Sequence, residues 1–182
     1  GVFLLWFLAA WIISPAGDEF YVLNSQSGKN LPPGHILANP DEKGIQKELH
    51  TAGWAVYCPI WWTAEKHKMT IIPPGHMGIL VAQDGDDMPK DQILAEILDG
   101  TIGNPKKVQK GIMRELLMPG TYRLHPFWFK VEIRQAMNIE AGSIGVVTAL
   151  TGKPMDSGAI LAQPGQRGIQ EKILEPGTYY LN

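Results

Sequence analysis

A stretch that opens with Gly-Ile and closes with glycine occurs three times in this chain: GIQKELHTAG at 44–53, GIMRELLMPG at 111–120 and GIQEKILEPG at 168–177. An Ile-Leu-Ala triplet precedes each, at 36–38, 93–95 and 160–162. The triplets are 57 and then 67 residues apart, and the Gly-Ile starts are 67 and then 57 apart. A loop insertion within 97–110 accounts for the exchange. Ordered recurrence at compatible spacing indicates one structural unit used three times. A unit of roughly 55–65 residues barely supplies its own core, so neighbouring units have to pack together or extend one another's sheets.

The residues within a unit favour strands over helices. Gly 20 and Pro 14 in 182 residues leave few windows for a long helix. Each unit opens on a turn, Pro15-Ala16-Gly17, Pro73-Pro74-Gly75 or Glu140-Ala141-Gly142. A short apolar strand follows, and then a second turn: Ser27-Gly28-Lys29, Asp84-Gly85 or Thr151-Gly152-Lys153. Pro119-Gly120 and Pro176-Gly177 mark tight corners near the close, with 47–61 repeating the pattern. The alternation in FWFKVEI at 127–133 sets Phe127, Phe129, Val131 and Ile133 on a buried face and Trp128, Lys130 and Glu132 on a wetter one. The Gly-Ile stretches read as strands in preference to short helical turns.

Residues 2–13, VFLLWFLAAWII, carry no charge. Twelve residues are too few to span a bilayer, which takes about 20. The run reads as the end of a transmembrane helix, with Trp6 and Trp11 suited to a bilayer interface and Pro15 and Gly17 releasing the chain into water. The expected organisation is an anchor over 1–15, β unit one over 16–67, β unit two over 68–136 and β unit three over 137–182. The fold class is mainly β, with tandem small β-rich repeat units in an elongated array.

The search for chemistry excludes several classes. A formal net charge of -2 argues against a nucleic-acid groove, and Lys106, Lys107 and Lys110 read as a solvated loop. Cys58 is the only cysteine, so an internal disulfide or a cysteine metal cluster is out of reach. There is no phosphate loop, nucleophile elbow or zinc His-Glu-x-x-His pair. The acidic run DGDDMPKD at 84–91 lacks the spacing of a calcium loop and reads as an exposed hairpin tip. His67 reads as solvated, and His35 and His76 as turn histidines at non-equivalent places. The expectation is therefore a non-enzyme with no catalytic residue, no cofactor, no metal and no small-molecule substrate. Gly17, Gly34, Gly75, Gly120, Gly142 and Gly177 are the expected shape-setting turns. Trp61, Trp62, Phe127, Trp128 and Phe129 are the expected packing or contact residues.

Several of these stretches resemble a known family. IIPPGHMGILVAQDG at 71–85 and IEAGSIGVVTALTGKPMDSG at 139–158 look like the lead-in of band 7, or stomatin–prohibitin–flotillin, domains. ILEPGTYYLN at 173–182 resembles a later turn of the same family, and unit three looks like the start of such a domain, continuing past Asn182. The Pro-Pro-Gly-His strings at 32–35 and 73–76 resemble the repeats of the major vault protein family. The resemblance implies rings, cages or microdomain scaffolds built from many copies at a membrane. The expected function is a membrane-anchored scaffold, with the bilayer contacted through 1–15 and with homo-oligomeric or related membrane-protein partners. An accessory subunit of a membrane protease or channel, and an extracytoplasmic binding or export module, are the alternatives.

Overall fold

The computed structural model describes residues 12–90 and 92–181. Most of the expected anchor, residues 1–11, lies outside the described residues, as do Asp91 and Asn182. Among the described residues there are seventeen short strands and no helix, and so no helix long and apolar enough to cross a membrane.

The first unit holds β1 (Ile12–Ile13), β2 (Glu19–Ser25), β3 (Leu37–Ala38), β4 (Gly44–His50), β5 (Ala55–Val56) and β6 (Trp62–Lys68). Strand β2 is central. It pairs antiparallel with β6 along its whole length and with β4 on its other edge, while β3 adds in parallel to β4. The second unit holds β7 (Thr70–Ile72), β8 (His76–Ala82), β9 (Ile97–Thr101), β10 (Asn104–Val108), β11 (Gly111–Leu117), β12 (Gly120–Tyr122) and β13 (Phe129–Gln135). Here β8 is central, between β11 and β13. The third contributes β14 (Met137–Ile139), β15 (Thr148–Ala149), β16 (Gly168–Ile169) and β17 (Gly177–Tyr179).

One hydrogen-bond pattern recurs in all three. Lys29, Asp86 and Lys153, each following its turn glycine, donate backbone N–H to Asp41, Val108 and Gly165. They accept in return from Lys43, Lys110 and Arg167 at 2.8 Å. The glycines of these turns, Gly28, Gly85 and Gly152, have φ of 130°, 148° and 124°. A Cβ on any of them would run into backbone of the returning segment, so glycine is fixed by both conformation and space. Ala38, Ala95 and Ala162, which close the Ile-Leu-Ala triplets, are fully buried. Each forms a parallel bridge to the residue two after the following glycine: Gln46, Met113 and Gln170.

The pairing corrects the expected anchor boundary. Ile13 pairs with Ala55 as Thr70 pairs with Tyr122 and Met137 with Tyr179. The two residues Ile12 and Ile13 are thus the lead-in strand of unit one, matching β7 and β14, rather than part of a helix. The reason is local: Ala55-Val56 offers an open edge, and β-branched residues fit an extended backbone. The first turn is also shifted. Gly17 sits where Pro74 sits in the second turn, and Asp18 takes the place of Gly75. Gly17 consequently has no left-handed φ, whereas Gly75 and Gly142 have φ of 74° and 87°.

The insertion at 97–110 is a hairpin, not a loop. β9 and β10 pair antiparallel, with Val108 buried and Ile97 and Ile102 packed on the core. Its alternation was hidden by Gly100, Gly103 and Pro105. The main core gathers Ile72, Leu80, Ala82, Met113, Leu117, Leu124 and Phe129 of unit two, and Leu37 of unit one enters it.

Candidate functional site

The most strongly built polar arrangement joins units one and two. On β8 the inward row is Leu80 and Ala82, and period-two alternation carries it one step further to Asp84. Asp84 is 1% exposed. It is therefore no exposed tip; the acidic run becomes solvent-facing only after it. A buried carboxylate must find donors. Asp84 Oδ2 accepts the backbone N–H of Ile36 at 3.1 Å and of Leu37 at 2.8 Å. Oδ1 lies 2.9 Å from His35 Nδ1, which donates to it, and also accepts the Gly85 N–H at 2.9 Å. All donors but the last come from unit one. This clasp orients the Pro32-Pro33-Gly34 turn, where Gly34 has φ 89°, and delivers Leu37 into the core of unit two.

Three further hydrogen bonds brace the joint, of which the one to Gln46 crosses between the units. Trp128 Nε1 donates to the Asp84 carbonyl at 2.9 Å. His125 Nε2 donates to the Gln46 carbonyl at 2.9 Å, and Phe127 N–H donates to His125 Nδ1 at 3.3 Å. These partners fix the neutral Nε2–H form of His125. Burial, first, and the neighbouring His67 push its pKa below the ordinary value of 6.5, against the Gln46 hydrogen bond, which acts upward.

Trp128 is thus buried, against the alternation expectation that set it on the wetter face. The turn at His125, whose carbonyl accepts Trp128 and Phe129 N–H, comes before β13 begins, so the period-two rule does not yet apply. His67 is also not solvated. It stacks on Phe20 with centroids 5.9 Å apart and meets Phe127 edge-on at 6.1 Å. Its Nε2 lies 3.2 Å from a Glu65 oxygen, but off the direction a hydrogen bond needs, and is otherwise unpartnered.

The expected contact aromatics divide. Trp128 and Phe129 are buried and face each other at 5.8 Å; Trp62 and Phe127 are half-buried; Trp61 is exposed. Gly120 and Gly177, with near-extended φ of 159° and 156°, begin β12 and β17. His76 Nδ1 turns back toward the Pro74 carbonyl at 3.2 Å, a local bond unlike that of His35.

A cleft of about 310 Å³ opens beside the joint, lined by Lys47, Glu48, Asn104, Arg123, His125 and Trp128 among others. Arg123 Nε is buried there without a hydrogen-bond partner. Among the described residues no three His, Cys, Asp or Glu side chains gather as a metal site. The joint is chemically a clasp, acceptors set against fixed donors. In the sequence Asp84 reads only as a turn residue, and the signal that reveals its burial is the inward row of β8 extended by two residues. No protein-family model, no curated protein and no solved structure matches the chain.

Proposed function

We propose that the chain is a membrane-anchored structural scaffold that assembles into a multimeric ring, wall or cage-like complex, as the band 7-like stretches imply. The supporting observation is the Asp84 clasp, which locks unit one to unit two through a carboxylate that is 1% exposed and bonded to the backbone of Ile36 and Leu37.

A rigid joint such as the Asp84 clasp suits a structural role, because it fixes the angle between successive units.

The test is gentle detergent extraction of the complete protein, followed by sizing and particle imaging. A discrete multimer is expected. A monodisperse monomer at working concentrations would overturn the proposal.

A further inference from the structure

The end of unit one nearest the N-terminal apolar run carries its own exposed apolar surface. Trp54 is 73% exposed, Ile60 68% and Trp61 54%. Ile12 and Val56, direct cross-strand partners in the β1–β5 pair, are 51% and 54% exposed. No residue from Thr51 to Ala64 is charged. Soluble proteins rarely gather so many large apolar side chains at one exposed place without a use for them.

The repeat sharpens the anomaly. Trp61 occupies in unit one the place of Trp128 in unit two, since Trp61 and Trp62 N–H bond the Cys58 carbonyl as Trp128 and Phe129 N–H bond that of His125. Trp128 is covered by unit one, and its indole N–H is satisfied. Trp61 is instead 54% exposed.

From these contacts we infer that the Trp54–Trp61 segment of unit one, together with Ile12, inserts into the interfacial layer of the same bilayer that holds the N-terminal segment. The inference rests on the membrane-anchored reading. Continuity selects the bilayer as occupant. The uncharged run at 2–13 passes into β1 without a linker, and hydrogen-bonded strands lie about 4.8 Å apart, so the residue that leaves the membrane and Val56 share one level. Tryptophan suits that level, with an apolar ring for the acyl boundary and an N–H for the headgroups. A two-residue, two-stranded pair is also marginal in water and gains from a surface that covers its exposed side.

The experiment reconstitutes the full chain in phosphatidylcholine vesicles, with Trp6→Phe and Trp11→Phe introduced to silence the anchor. Four tryptophans remain: 54, 61, 62 and 128. Lipid brominated near the headgroup end of its acyl chains should quench about half of the emission, the share of Trp54 and Trp61 among equal emitters. That quenching should disappear in the further Trp54→Phe/Trp61→Phe variant, which still floats with the vesicles. A chain that floats but is not quenched overturns the inference and leaves anchoring intact. A chain that does not float overturns the anchoring, and the inference with it.

Discussion

The Asp84 carboxylate receives the Leu37 amide at 2.8 Å although the two residues stand 47 apart in the chain, and this bond brings a leucine of one repeat into the core of the next. Removing the acceptor leaves buried donors unsatisfied. Asp84→Ala should cost about 3 kcal/mol, and Asp84→Asn, which keeps one acceptor oxygen, about 1–2 kcal/mol. Thr151→Ala, at the equivalent turn of unit three, should change stability by less than about 0.5 kcal/mol. Urea unfolding with compared m-values measures all three. Equal losses at Asp84 and Thr151 would contradict the clasp.

Trp128 and Trp61 share a repeat position but differ in burial. Trp128→Phe loses the indole bond to the Asp84 carbonyl and leaves a gap, at a cost of about 1–2 kcal/mol. Trp61→Phe should leave the unfolding midpoint in detergent within error. Thermal melts of the two variants side by side check the contrast.

His125 supplies a pH dependence of known sign. Its folded-state pKa is depressed, so below the ordinary 6.5 the unfolded chain takes up a proton that the folded chain resists. Its contribution to stability is complete above that value and is lost as pH falls through 6.5 toward the folded pKa, at up to about 1.4 kcal/mol per pH unit. His125→Asn should therefore cost more at pH 7.5 than at pH 5. Denaturant titrations of both proteins at the two pH values give the difference. A cost that grows toward acid pH would reverse the assignment.

Two turn glycines should respond unequally to alanine. At Gly85, φ 148°, the new methyl meets the Val108 carbonyl, and a loss of about 3 kcal/mol or failure to fold is expected. At Gly142, φ 87°, a Cβ meets no atom within 4 Å, so only the backbone strain of roughly 1 kcal/mol remains. Circular dichroism melts separate the two cases.

Much of the local architecture was legible in the residues. The Gly-Ile starts became β4, β11 and β16, and Gly34, Gly75 and Gly142 took a left-handed φ, whereas Gly17 did not. The lapses share one cause: Ile12–Ile13, the 97–110 hairpin and Trp128 all depend on a partner strand or on where a turn ends. An apolar dipeptide carries no mark of the edge it will join, and glycine and proline within a short hairpin mask its alternation.

The sequence alone determined the triple recurrence and the turns at Gly28, Gly85 and Gly152, because φ preference and period-two patterning act within a few residues. Only the tertiary structure decided which copy of each repeated residue is buried. Trp61 and Trp128 are identical residues at equivalent repeat positions, yet one is 54% and the other 2% exposed. Burial follows from what lies across the sheet or above the turn, and equivalent positions in successive units have different neighbours. The same holds for Asp84, whose role exists only because the backbone of Ile36 and Leu37 arrives opposite it.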